Sequence, residues 1–184
     1  KMHDFRLNDV SLTLPKGLAN GFVIAKLADG SYEADEARSA DRCVRPGFRV
    51  LELGAGIGYV SAICARAVGA ENVTCVEANP EMLPVIRANL DRNGYAGVTL
   101  LHGAWTGRDG SDAPVAFDGA KGFWAGRIAD DQSTPARRVD VPALGVELLA
   151  EPRDAVGEEA ARAGLRGAGP VVTEGRVVDA ADLG

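Results

Sequence analysis

Glu52-Leu53-Gly54-Ala55-Gly56-Ile57-Gly58 decides the architecture of this chain. It stands between a short apolar run, Phe48-Arg49-Val50-Leu51-Glu52-Leu53, and a longer Ala-rich one, Tyr59–Val68. The short run, bounded by Arg45-Pro46-Gly47 and Gly54, predicts a buried strand. The longer run predicts a helix that stops at Gly69. Glycines are needed where a chain turns sharply from strand to helix, because a positive φ is cheap only without a Cβ. They also let the backbone approach a ligand closely, in front of the free N–H groups of the helix that follows.

Outward from this turn, Asn72–Glu77 predicts a second strand, Pro80 the first turn of a second helix that ends at Asn93-Gly94, and Val98–His102 a third strand. The order β-α-β-α-β calls for parallel strands joined by crossovers, one half of a Rossmann-like, doubly wound, mostly parallel α/β sheet. Upstream, Asn8-Asp9, Pro15-Lys16-Gly17, Asn20-Gly21 and Asp29-Gly30 punctuate residues 5–30. Such spacing predicts short antiparallel strands, Arg6–Leu14 and Gly21–Leu27, followed by a helix over Tyr32–Ala40. Downstream, Gly107–Gly122 and Asp130–Pro135 read as loops, Arg138–Val141 and Val171-Val172 as strands, and Ala143–Ala150 and Glu158–Ala163 as short helices. The expectation is a single domain over 1–184: an N-terminal hairpin and helix (1–45), a cofactor-binding core (46–105) and a divergent C-terminal part (106–184).

Composition narrows the partners. A net charge of -6, with basic residues scattered apart from Arg137-Arg138, argues against nucleic acid. No apolar stretch approaches the length of a membrane span, and the opening Lys-Met-His-Asp-Phe lacks the apolar core of a signal peptide, so a cytoplasmic protein is expected. Cys43, Cys64 and Cys75 form no CxxC, and two of them lie in apolar runs, as buried free thiols do. His3 and His102 are too few and too far from the cysteines for a zinc set, and no metal is expected. Self-association into a homo-oligomer stays open.

The second strand ends in Glu77, 19 residues after Gly58. A carboxylate there can accept hydrogen bonds from both hydroxyls of a ribose. The dinucleotide fingerprint is G-x-G-x-x-G, whereas the spacing here is G-x-G-x-G with Tyr59 where the third glycine would fall. That pattern, preceded by the acid Glu52 and followed by Val76-Glu77-Ala78-Asn79-Pro80, resembles the first two motifs of class I S-adenosylmethionine-dependent methyltransferases. An NAD-dependent oxidoreductase is the alternative for this segment.

A narrower resemblance lies over about 28–105. Gly30-x-Tyr32-Glu33, Val50–Ser61, Val76–Pro80, Asn89-Leu90-x-x-Asn93 and the Leu101–Ala104 strand end look like FkbM-type methyltransferases. The resemblance implies S-adenosyl-L-methionine as cofactor and O-methylation of a small-molecule hydroxyl. It also implies that Tyr32 and Glu33 close over the methionine end, with Glu33 on its ammonium. Glu52, Gly54, Ala55, Gly56, Gly58 and Tyr59 would bound the loop, Glu77, Ala78 and Asn79 the ribose, and Gly103 and Ala104 the adenine. His102, at the end of the third strand, is the candidate general base. The family's later Asp-x-Glu-Gly-x-Glu motif is represented only by Val172-Thr173-Glu174-Gly175-Arg176. A module that keeps the cofactor pocket without catalysis therefore stands as a second alternative.

Overall fold

The computed structural model describes residues 1–105, 114–118, 127–128, 138–144, 171–173 and 176–178. Strands β1 (Met2–Leu7) and β2 (Val10–Pro15) come first, then helices α1 (Gly21–Asp29) and α2 (Ala34–Cys43). The core follows as β3 (Val50–Leu53), α3 (Tyr59–Val68), a 3-10 turn (Ala70–Asn72), β4 (Val73–Glu77), α4 (Leu83–Arg92) and β5 (Thr99–His102). Beyond it lie β6 (Ala104–Trp105), β7 (Val115–Asp118), β8 (Arg127–Ile128), β9 (Arg138–Val141), β10 (Ala143–Leu144), β11 (Val171–Thr173) and β12 (Arg176–Val178).

The main sheet has the order β12-β11-β3-β4-β5. β11, β3, β4 and β5 are parallel, and β12 runs antiparallel at one edge. This is the expected Rossmann-like, mostly parallel α/β sheet. It also carries the strand expected at Val171-Val172, which pairs with Leu51 and Glu52. Because the chain steps from β3 to β4 on one side while β11 flanks β3 on the other, the strand order reverses at β3. Ligands of such sheets bind outside the carboxyl ends of the strands at that reversal. The remaining strands form a β8-β7-β9 antiparallel sheet and a β6-β10 parallel pair.

α3 lies deep in the molecule. Seven consecutive residues, Tyr59 to Ala65, are buried together with Val68. Its small side chains permit close approach on several faces, and α2 meets it with Ala37 and Ala40, both fully buried. Cys64 and Cys75 share this core, where burial pushes the Cys75 thiol up to about 12 and the Cys64 thiol higher still. Both stay neutral and pack as small apolar groups.

The N-terminal segment departs from the expected pattern. Asn8 (φ 45°) and Asp9 (φ 63°) turn the chain within Arg6–Leu14, so β1 and β2 are the two arms of one hairpin. Paired positive-φ residues, which Asn and Asp tolerate, match the twist of a tight hairpin. Gly21–Leu27, expected as a strand, is instead helix α1. Asn20 caps it by accepting the Val23 N–H at 3.0 Å, Gly30 ends it in the left-handed conformation, and Val23 and Leu27, four apart, face the core. Capping and an i,i+4 apolar pair outweigh the weak alternation that favoured a strand.

Smaller corrections follow the same logic. Pro80 lies in the turn before α4, and the proline in that helix's first turn is Pro84. Val115–Asp118 is a strand inside the stretch expected as loop. Ala143–Leu144 is a strand rather than the start of a helix; residues 145–150 and the helix expected at 158–163 lie outside the described residues. Among the described residues no helix is long and apolar enough to cross a membrane.

The hairpin is held by apolar and polar contacts together. Leu7, Val10, Leu12 and Leu14 are at most 5% exposed, each contributing about 1.5–3 kcal/mol by burial. Arg66 of α3 donates to the Asn8 carbonyl at 2.7 Å and to Asp41 of α2 at 3.1 Å, joining three elements. As a check on the α1 assignment, Asn20→Ala is expected to lower unfolding stability by about 1 kcal/mol in urea titrations. A strand at Gly21–Leu27 would leave stability unchanged.

Candidate functional site

The turn from β3 into α3 places Gly54, Gly56 and Gly58 at φ 86°, 58° and 81°. Its backbone is pinned to β4: Gly54 N–H and Ala55 N–H both donate to the Val76 carbonyl, at 2.9 and 3.0 Å. The Gly58 N–H closes the turn on the Ala55 carbonyl at 2.7 Å. Each glycine meets a different surrounding. A Cβ on Gly54 would touch nothing within 4 Å, so this position fronts open space. One on Gly58 would lie 3.2 Å from Ile86 Cγ2, which is how closely α4 packs under the turn. One on Gly56 would lie 3.0 Å from the Tyr32 hydroxyl and 3.4 Å from Glu33 Oε1.

Gly56 is therefore the meeting point of residues distant in sequence. From β4, Glu77 accepts the Gly56 N–H at 3.0 Å through Oε2 and the Asn79 N–H at 2.7 Å through Oε1. A backbone bond from Ala78 also acts on it. Asn79 in turn accepts the Glu81 N–H at 3.0 Å, fixing the loop after β4. Glu52, at the end of β3, is buried and accepts a hydrogen bond from the Ser61 hydroxyl in the first turn of α3. Tyr32 is buried, and its ring lies tilted against that of Tyr59, centroids 6.3 Å apart. Glu33 sits at φ 45°, a left-handed conformation uncommon outside glycine, at the start of α2. Part of Glu33 reaches the surface, while its carboxyl is enclosed.

Three carboxyls thus share one enclosure. Burial, reinforced by the negative charge of Glu52, pushes Glu33 up to about 8. Burial pushes Glu52 up to about 7 against the pull of its Ser61 bond. Glu77 is raised by burial as well, although its backbone N–H donors oppose the shift. Among the described residues the charged groups acting on Glu33 are anionic: Glu52, Glu36 and Glu77. The site favours a cation and repels an anion. Among the described residues no cluster of His, Cys, Asp or Glu is arranged to hold a metal ion.

The other predicted residues lie around this centre. Tyr59 accepts a hydrogen bond from Asn8 Nδ2 at 2.7 Å, tying the start of α3 to the hairpin turn. His102 Nε2 lies 3.2 Å from the Ala78 carbonyl, a contact that needs the proton on Nε2 and leaves Nδ1 as the basic nitrogen. Gly103 N–H donates to the Glu77 carbonyl at 3.0 Å and Ala104 N–H to the Pro142 carbonyl at 2.9 Å. The Glu174-Gly175 pair lies outside the described residues. Ser61 was not anticipated; its signal was a hydroxyl in the first turn of an otherwise apolar helix.

Comparison with known proteins bears on this arrangement directly. Residues 50–120, which hold the glycine turn, Glu77 and His102, match the family described as a methyltransferase domain. This segment is similar to a class I methyltransferase core. Its cofactor is S-adenosylmethionine. Relatives of assigned function include the protein-L-isoaspartate O-methyltransferase of Methanococcoides burtonii, 40% identical over 60 residues, 32% of this chain and 30% of the relative. The protein of the same name from Methanocella arvoryzae is 33% identical over 110 residues, 59% of this chain and 51% of the relative. The chain thus spans between about a third and a half of these relatives' length. Among solved structures, the Pyrococcus abyssi tRNA (uracil-54, C5)-methyltransferase in complex with S-adenosyl-L-homocysteine aligns at 20% identity and a TM-score of 0.42, covering 60% of this chain and 25% of that one.

The residues present fit this cofactor. The space in front of Gly54 needs no side chain, Glu77 offers carboxylate oxygens to a diol, and the acidic enclosure suits a sulfonium and an ammonium. A pyrophosphate would bring two negative charges to the same carboxyls.

A pH dependence follows. An acid whose folded pKa is raised loses native-state stability as pH climbs from its unfolded value to the folded one. For Glu33 that window runs from 4.5 to about 8. A bound cation favours the ionised carboxylates, so the rise in melting temperature produced by S-adenosylmethionine should grow between about pH 6 and pH 9. Thermal melts across that range, with and without cofactor, measure it. Glu33→Gln should flatten the dependence, and an unchanged slope would remove Glu33 from the cause.

Proposed function

We propose that this chain is an S-adenosylmethionine-dependent O-methyltransferase acting on a small-molecule hydroxyl, of the FkbM type. The observation that carries the reading is the meeting of Glu33 and Glu77 at Gly56 on a G-x-G-x-G turn, with the charge of Glu52 acting on Glu33. When bound, S-adenosylmethionine supplies a methyl group on a sulfonium that is already a good leaving group, so in-line displacement needs positioning more than covalent help. Glu77 would accept the ribose hydroxyls, with Ala78 and Asn79 holding its carboxylate through their N–H groups. Glu33 and Tyr32 would cover the amino-acid end, and Ser61 would keep Glu52 oriented toward it. Gly103 and Ala104, their N–H groups spent within the protein, would present their remaining backbone atoms to the adenine edge.

A neutral hydroxyl suits the acidic enclosure better than an anionic acceptor. It also needs a proton acceptor, a role open to Nδ1 of His102. A second reading is favoured by the relatives' names: an isoaspartyl carboxylate, which is already ionised and needs no base. Both are methylations at oxygen, and the products separate them. A methyl ester is cleaved by mild base and a methyl ether is not.

The decisive experiment measures binding of S-adenosylhomocysteine and of NADH by calorimetry, then turnover of S-adenosylmethionine. The acceptor panel should contain hydroxylated small molecules and an isoaspartyl peptide. Base-stable product from a hydroxylated acceptor is expected. Base-labile product from the peptide alone would replace the acceptor, and cofactor binding without turnover on any acceptor would favour a non-catalytic module. Binding of NADH in place of S-adenosylhomocysteine would overturn the cofactor.

Two substitutions test the site itself. Glu77→Ala should weaken S-adenosylhomocysteine binding by about 1.5–3 kcal/mol, the range for hydrogen bonds to a charged group. Gly56→Val should abolish binding, because its Cβ would press on Tyr32 and Glu33 at a positive φ that a β-branched residue rarely adopts. Calorimetric titration of folded variants reads both. Full affinity in either one would move the cofactor away from that residue.

A further inference from the structure

Two asparagines four residues apart, Asn89 on α4 and Asn93 capping its C-terminus, make nearly the same clamp on the N-terminal hairpin. Asn93 accepts the Ser11 N–H at 2.9 Å and donates to the Ser11 carbonyl at 2.8 Å. Asn89 accepts the Thr13 N–H at 2.8 Å and donates to the Thr13 carbonyl at 3.1 Å. Each amide thereby imitates a neighbouring strand, and the residues clamped are two apart on β2, as the i,i+4 spacing of α4 requires. Pairing with both an N–H and a carbonyl also fixes which end of each amide is oxygen.

The clamps differ in one bond. The second N–H of Asn93 returns to its own helix, donating to the Asn89 carbonyl at 2.7 Å. The second N–H of Asn89 donates to the Ile57 carbonyl at 2.9 Å, between Gly56 and Gly58. Asn89 is fully buried, and so is Ile57. The carbonyl it satisfies belongs to the turn whose Gly54, Ala55 and Gly56 N–H groups are held by β4.

We infer that Asn89 is a positioning residue of the cofactor site, fixing the glycine turn from below through Ile57 and making the docked hairpin part of that site's framework. A turn built on three left-handed glycines has little intrinsic preference for one shape, because each glycine reaches many backbone conformations at similar cost. Val76 and Glu77 hold its sheet side. Asn89 holds the opposite side, and Asn89 is itself kept in place by Thr13. Without that bond the Ile57 carbonyl would be buried and unpaired, and the turn would relax to satisfy it. The inference rests on the methyl-donor reading only for the choice of ligand.

Asn93 supplies the internal control, since it grips the same hairpin from the end of the same helix without touching the turn. Asn89→Ala and Asn93→Ala should both lower the urea midpoint. Only Asn89→Ala should raise the Kd for S-adenosylhomocysteine, by about tenfold, while Asn93→Ala stays within about twofold of the wild type. Hydrogen exchange of the amides at residues 56–60 in the ligand-free protein should accelerate in Asn89→Ala and not in Asn93→Ala. Equal changes in both variants, or none in Asn89→Ala, would reduce Asn89 to a structural clamp and overturn the proposal. Should Asn89→Ala fail to fold, Asn89→Ser, which keeps a hydroxyl at the position, takes its place with the same expectations. Wild-type protein that does not bind S-adenosylhomocysteine would sink the cofactor reading alone, because the exchange measurement needs no ligand.

Discussion

Between the last residue of β3 and the first of α3 the chain must reverse its direction of packing within five residues, and it does so by placing Gly54, Gly56 and Gly58 at positive φ. That geometry is open to few side chains, and it leaves a stretch of backbone anchored by only two side chains of its own, Ala55 and Ile57. The surrounding structure supplies the hold. Val76 takes two of its N–H groups, Glu77 a third, Asn89 a carbonyl, and Ile86 closes against Gly58. The sheet order, the burial of α3 and the docking of the hairpin all bring these partners to one place.

The site formed there gathers negative charge. Burying three carboxyls together costs stability unless they are neutralised, and the raised values of Glu33 and Glu52 express that cost. The left-handed backbone of Glu33 adds strain at the same point. Proteins retain such arrangements where a ligand resolves them, and a positively charged nucleoside is the ligand proposed for this one. The apolar framework, with Tyr59, Ile57, Ile63 and Met82 almost wholly buried, keeps the carboxyls from relaxing outward.

The core was legible because its signals are local. Short apolar strands, an Ala-rich helix stopped by Gly69, and an acid at the end of β4 each follow from a few consecutive residues. The hairpin and α1 were harder. Gly21–Leu27 alternates weakly enough to suit a strand, and only the cap from Asn20 and the paired burial of Val23 and Leu27 decide for a helix. β11 was legible as a strand, but its place beside β3 is a pairing between residues more than a hundred apart. Nothing local encodes it.

By itself, then, the amino-acid sequence determined the strand-turn-helix unit, its glycine spacing and the carboxylate of Glu77, since backbone sterics and hydrophobic periodicity act over a few residues. Tertiary structure decided that Tyr32 and Glu33 meet Gly56, that Ser61 serves Glu52, and that Asn89 reaches past the hairpin to Ile57. Those outcomes depend on which surfaces pack together, and a buried polar group finds its partner only after packing has excluded water.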